Sequence, residues 1–163
     1  MKKFLVCLFS ILMLFSFASC KGEETSIQET QSADVLTQRT ADEWIDFIAE
    51  NVPFDDTMTK VGAEQAMALY GIFEEDGYNG DCALYISTMA TPEEIAVFKA
   101  DDNLSVDDLL EKIQSRLQKQ TESYSDYAPQ EVPKLSSAVV KTVGDTVIVA
   151  VTADNALAED IIK

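Results

Sequence analysis

Runs of carboxylates are the first residues in this chain whose type and spacing could do chemistry: Asp55-Asp56, Glu74-Glu75-Asp76, Asp101-Asp102 and Asp107-Asp108, with Glu93-Glu94 among them. Two carboxyl groups about 5–10 Å apart in a cleft serve as acid and base in glycoside hydrolysis. A hydrolase reading would draw on Glu93, Glu94, Asp101 and Asp102. The plainer reading is solvated turns and helix caps, since the chain carries 29 Asp+Glu. No catalytic residue is assigned.

The segment "DGYNGD", Asp76 to Asp81, has the look of a calcium loop, but its spacing departs from the D-x-[DN]-x-[DN]-G pattern. Counted from Asp76, the third position is Tyr78, the fifth is Gly80 and the twelfth is Ser87 rather than glutamate. We read a tight turn entering a strand and assign no metal or cofactor, leaving weak calcium binding by the acidic surface open. Cys82 stands beside Ala83, Leu84 and Ile86 and reads as a buried small hydrophobe rather than a reactive thiol. Tyr85, Tyr124 and Tyr127 could stack against a sugar or peptide, although Tyr124 and Tyr127 continue an apolar stripe and read as core. Histidine is absent, which removes Ser-His-Asp and Cys-His nucleophile arrangements and every histidine-containing zinc site.

Cys20 is the one residue with an assigned role, and that role is lipidation. Met1-Lys2-Lys3 precedes an uncharged run from Phe4 to Ala18, and small residues lead into the cysteine. Basic start, apolar stretch and small-residue exit make a secretory signal, and the run falls short of the roughly 20 residues that span a bilayer. Ala18-Ser19-Cys20 resembles the end of a bacterial lipobox, with Phe17 where leucine is usual. The expectation is a signal peptide over 1–19, a lipidated Cys20 with a tether to residue 40, and a single domain over 41–163. The tether is rich in Glu, Thr, Gln and Ser and buries too little to offset chain entropy. The protein is then held on the outer face of the cell membrane, with palmitate-type acyl chains as its anchor.

The formal net charge is −17. Loss of Lys2 and Lys3 with the signal deepens it to −19. Such a surface repels phosphate backbones and anionic headgroups, so nucleic acid is not expected as a partner. Once Cys7 leaves and Cys20 is acylated, Cys82 has no disulfide partner, and the fold rests on packing.

The elements that must position these residues follow from local pattern. Thr40 and Glu43 form a capping-box pair before Trp44, Ile45, Phe47 and Ile48, giving a helix to about Asn51. A weaker helix covers 63–70. Strands are expected over 83–87 and 94–100, separated by a turn at Thr91-Pro92. Ser105 and Asp108 cap a long helix whose Val106, Leu109, Leu110, Ile113 and Leu117 recur at helical spacing. Glu111, Lys112, Arg116 and Lys119 are placed on its opposite face, and its end near Tyr124. Pro129 and Pro133 mark a loop. "SSAVVKTV" and "TVIVAVTA" flank Gly144-Asp145 as a hairpin, with Val147, Val149 and Val151 alternating as in a half-buried strand, and 155–162 forms a closing helix. The sum is an α+β fold: a small antiparallel sheet of two strand pairs, its helices against one face, packed on one long helix and short flanking helices.

The segments "LYISTMATPEEIAVFKADD" and "LQKQTESYSDYAPQEVPKL" carry a resemblance. Over about residues 40–163 the chain resembles a family of uncharacterised lipoproteins of Gram-positive bacteria, catalogued as domain of unknown function 4358. The matching residues are Glu94, Ile95, Ala96, Val97 and Lys99, then Gln120, Tyr124, Tyr127 and Pro129. The resemblance implies a surface lipoprotein and carries no catalytic meaning. The sequence thus reads as an extracytoplasmic, non-enzymatic binding or interaction module, meeting the membrane through Cys20 and meeting an envelope protein or a peptide or sugar ligand. The alternatives left open are a carboxylate-based hydrolase of the cell envelope and an accessory subunit of a transporter or wall-synthesis complex.

Overall fold

The computed structural model describes residues 39–162. The expected signal peptide, the expected lipidation site Cys20 and the part of the expected tether before Arg39 lie outside the described residues. Helix α1 (Ala41–Asn51) starts at the expected capping box, where the Glu43 amide donates to Thr40 Oγ1 at 3.2 Å and the Thr40 amide to Glu43 Oε2 at 2.8 Å. Its apolar face buries Ala41, Trp44, Ile45 and Ile48. After it come strand β1 (Thr59–Val61), helix α2 (Ala63–Leu69), a 3-10 turn at Glu74–Asp76, and strands β2 (Cys82–Ile86) and β3 (Glu94–Lys99). The long helix α3 (Val106–Tyr127) opens on the expected Ser105–Asp108 box and runs three residues beyond Tyr124. Helix α4 (Val132–Ser136), the hairpin β4 (Val139–Val143) and β5 (Thr146–Val151), and helix α5 (Asn155–Ile161) complete the fold. Among the described residues no helix is long and apolar enough to cross a membrane.

The α+β class holds, but the sheet is one and not two. Its five strands run β1-β2-β3-β5-β4, all neighbours antiparallel. The join is the β3–β5 ladder, Glu94 opposite Val151 through Lys99 opposite Thr146, which puts both expected pairs side by side. Strand β1 was not foreseen. Three residues are too few for a sequence signal, and it forms because the edge of β2 offers unpaired backbone groups. Lys60 on this edge pairs with Asp42 at 2.8 Å, and a charged edge discourages pairing with another chain.

Helices also cover both faces, where one was expected. On one side Ile95, Val97, Ile148 and Ala150 meet Trp44, Ile45 and Ile48 of α1 and Ala158 of α5. On the other, Ala96, Phe98, Val147 and Val149 meet Ala66 and Tyr70 from the α2 region and Leu109 and Ile113 of α3. All six residues of β5 are buried, so its "TVIVAV" is a continuous apolar run buried on two faces and not an alternating half-buried strand. The stretch from Pro129, expected as loop, is a 3-10 turn followed by α4, with proline tolerated in the first helical positions. The hairpin turns on Gly144, whose φ of 62° suits glycine at the first central position.

Candidate functional site

Two of the proposed acids are buried, and they face different surroundings. Glu93 and Glu94 are each 1 % exposed at the entry to β3. Successive residues of an extended chain point to opposite sides, and their partners divide accordingly. Glu94 accepts hydrogen bonds from Tyr70 Oη at 2.7 Å, Arg116 Nη2 at 2.8 Å and Gln120 Nε2 at 3.1 Å. Glu93 accepts from the backbone amides of Asp55 and Asp56 at 3.0 Å, from Thr91 Oγ1 at 3.1 Å and from Lys134 Nζ at 3.2 Å. The structure does not bring them together across one cleft. Each carboxylate holds two parts of the fold in place, Glu94 tying β3 to α3 and Glu93 tying the loop after α1 to α4.

The remaining acids act as local acceptors. Asp101 takes the amides of Asn79, Asn103 and Leu104, and Asp102 is exposed. Asp56 accepts from the amide and hydroxyl of Thr88, while Asp55 meets Lys134 at 2.6 Å. Asp76 caps Phe73 and Asp81 accepts the Ala41 amide at the start of α1, so the two ends of "DGYNGD" serve different elements. Among the described residues no three His, Cys, Asp or Glu side chains gather as metal ligands would. Glu74, Glu75 and Asp107 are exposed.

Cys82 is half-buried and not a full core residue. Burial first, then the nearby charges of Asp81 and Asp42, push its thiol up to about 11, which keeps it protonated at neutral pH. Tyr85 donates to Asp46 of α1 at 2.9 Å and does not join the other two tyrosines. Tyr124 and Tyr127 do meet, with ring centroids 4.7 Å apart and planes tilted by 40°. Tyr124 is buried as expected, but Tyr127 is 56 % exposed and is not core.

Around this pair lies a cleft to which none of the proposed acids contributes. It measures about 210 Å³ and runs along the second half of α3, walled on the far side by Met89 of the β2–β3 loop. Arg116, Lys119, Gln120, Ser123, Tyr124 and Tyr127 line it, a stripe at helical spacing of three and four. Both tyrosine hydroxyls donate to the Met89 carbonyl, Tyr124 at 3.1 Å and Tyr127 at 3.2 Å, and Tyr124 also reaches the Thr91 carbonyl at 2.5 Å. They hold Met89 at a φ of 71°, in the left-handed region, with 73 % of its surface exposed. Burial first, and then the neighbouring Tyr127 hydroxyl, push the Tyr124 hydroxyl well above the ordinary range, so it remains a donor.

Arg116 was expected on a solvated face, and so was Lys112. Instead Lys112 donates to the Gly71 carbonyl and to Asp76, and Arg116 turns inward to Glu94, its guanidinium 5.7 Å from the Tyr70 ring. Burial works against the Arg116 charge, and the attraction and hydrogen bond of Glu94 outweigh it and raise its pKa. Arg116 Nε and Gln120 Oε1 are nevertheless buried with no hydrogen-bond partner. The available signal was the stripe itself: from Arg116 to Tyr127 these six cleft positions contain two cations and no acid.

A family model described as a domain of unknown function (DUF4358) matches residues 50–152. No curated protein and no solved structure matches the chain.

Proposed function

The chain belongs to the DUF4358 family, and we propose that it is a lipid-anchored, non-enzymatic binding module of the bacterial cell envelope whose working surface is the α3 cleft. The observation that carries the binding reading is the lining of that cleft. Two cations, an amide, a hydroxyl and an open phenol ring converge on one recess of a strongly acidic protein. Concave sites with a few convergent polar groups and aromatic walls are where ligands are held. Hydrolysis has less support, because Glu93 and Glu94 are each occupied by a cation and by further donors in separate environments. The anchor reading draws on the leader and on Cys20, and it places the working surface outside the cell, as in a Gram-positive surface lipoprotein.

Two experiments test this. Cells expressing the full chain and its Cys20→Ser variant are grown with alkynyl palmitate. Label on the parent and none on the variant is expected, and continued labelling of the variant would defeat the anchor. For the cleft, a photoreactive benzoylphenylalanine replaces Ser123 in one strain and Asp126, exposed on the same helix outside the cleft, in another. Light-dependent adducts at 123 that vanish with Tyr127→Ala are expected. Equal adducts at both positions, or none at 123, would remove the cleft as the working surface.

A further inference from the structure

The charge around the cleft is unusual for this molecule. Lys60, Lys99, Lys112, Lys134 and Lys141 each have a carboxylate within 4 Å, and among the described residues Lys119 has none. In a chain of net charge −17, an unpaired lysine in a recess is a cation left over for something outside the fold. A larger recess, about 530 Å³, lies between α2 and the Glu74 turn. That one is floored by Met67, Ile72 and Phe73 and carries Glu64 and Glu74, so an anion is repelled there.

Size and charge narrow the ligand. At about 210 Å³ the cleft is smaller than the roughly 300–1,000 Å³ that encloses a drug-sized molecule. It admits one end group. The exposed Tyr127 ring and the Met89 thioether offer a planar and polarisable wall. A phosphate monoester, at about −1.5 to −2 near neutral pH, meets the protein's negative field about twice as strongly as a carboxylate does, with one unpaired lysine to offset it.

Resting on the cleft as the working surface, we infer that it receives the carboxylate end of a ligand with a planar or apolar body, the carboxylate at Lys119 and the body against Tyr127 and Met89. A peptide carboxyl terminus and a free small carboxylic acid share this chemistry.

The test uses the full chain in detergent micelles with methyl-¹³C methionine, and the Met89 signal is assigned by its loss in Met89→Leu. The probes are N-acetylphenylalanine, its uncharged amide, acetyl-Gly-Gly-Phe with a free carboxylate, and phenyl phosphate. N-acetylphenylalanine should move the Met89 signal at a concentration roughly two- to fivefold lower than the amide, the range an exposed ion pair gives. Lys119→Gln, a change at an exposed position, should abolish that preference and leave the amide titration unchanged. A tripeptide that titrates with the free acid identifies a peptide terminus, and one that does not identifies a small acid; both agree with the inference. Equal response to acid and amide, preference for phenyl phosphate, survival of the preference in Lys119→Gln, or no response to any probe would overturn it. Equal response leaves the cleft standing as a binding surface, whereas absence of adducts at position 123 removes that underlying reading.

Discussion

Arg116 Nη2 lies 2.8 Å from Glu94 Oε2, an ion pair in which the carboxylate side chain is 1 % exposed and the arginine 19 %. The pair spans β3 and α3 at a separation of 22 residues in the chain. Removing one partner leaves the other charge buried and uncompensated, at a cost of about 3–5 kcal/mol. Arg116→Leu is therefore expected to destabilise the protein by roughly that amount, reduced somewhat because Tyr70 and Gln120 still donate to Glu94. Adding Glu94→Leu to Arg116→Leu should recover part of the loss. The single tryptophan, Trp44, is 1 % exposed and reports unfolding in urea. Equal stability of Arg116→Leu and the parent would mean that the pair is not formed in solution.

Acid should weaken the fold in a defined window. Backbone amides hold Asp76 and Asp101, and Thr88 and Ser105 hold Asp56 and Asp108, below the ordinary carboxylate value of 3.8. A carboxyl group with a depressed folded pKa stabilises above its unfolded value and loses that contribution as pH falls through the folded one. Urea midpoints should thus be flat from pH 7 to about 5 and then decline below about 4. Asp101→Asn with Asp108→Asn should shrink the acid decline while lowering the neutral-pH midpoint. An unchanged decline in that double variant would assign acid lability to other groups.

What was legible in the sequence is what depends on neighbours within a few residues. The boxes at Thr40–Glu43 and Ser105–Asp108, the Gly144-Asp145 turn and the Leu109–Ile113 stripe all appear where local chemistry put them. The sheet order was not legible, because the β3–β5 ladder joins residues about fifty apart and neither strand's pattern names its partner. Burial of Glu93 and Glu94 was hidden for the same reason. A carboxylate reads as surface until Lys134, 41 residues on, or Arg116 arrives to compensate it. Arg116 and Lys112 misled in the complementary way, since long stems let a cation rooted on an outer face reach inward.

Cys82 should be slow to alkylate. Its thiol at about 11, against an ordinary 9.0, holds about 100-fold less thiolate at pH 8, and the thiolate is the nucleophile. Iodoacetamide modification of the Cys82 peptide, followed by mass spectrometry in the folded and urea-unfolded chain, should show at least that ratio. The folded-state rate should climb with pH towards about 11 and not level off near 9. A plateau near 9 would show that the thiol is freely solvated.

Gly80 sits where a side chain has no room. A Cβ there would lie 2.3 Å from the Lys99 carbonyl oxygen and 2.6 Å from the Tyr78 ring. The ring could swing, but the carbonyl belongs to the end of β3. Overpacking of this kind costs about 1–3 kcal/mol, so Gly80→Ala should lower the urea midpoint clearly more than Gly62→Ala, which meets nothing within 4 Å and loses only the preference for glycine over alanine at the N-cap of α2. Equal effects of the two changes would rule out the close approach.

Met89 reverses the usual cost of glycine. Its φ of 71° lies in the left-handed region, which disfavours an L-residue by roughly 1–2 kcal/mol, whereas glycine there gives up only about 0.5–1 kcal/mol in chain entropy. Its side chain, 73 % exposed, contributes little packing to offset the strain. Met89→Gly should therefore leave stability unchanged or raise it by up to about 1 kcal/mol, and Met89→Val, with a branched Cβ at positive φ, should lower it. The hydroxyls of Tyr124 and Tyr127, which both donate to the Met89 carbonyl, are what hold the loop in this conformation. In Tyr124→Phe with Tyr127→Phe the loop relaxes, and the advantage of glycine over valine at position 89 should shrink. An advantage of the same size in that background would show that the strain is held by other contacts.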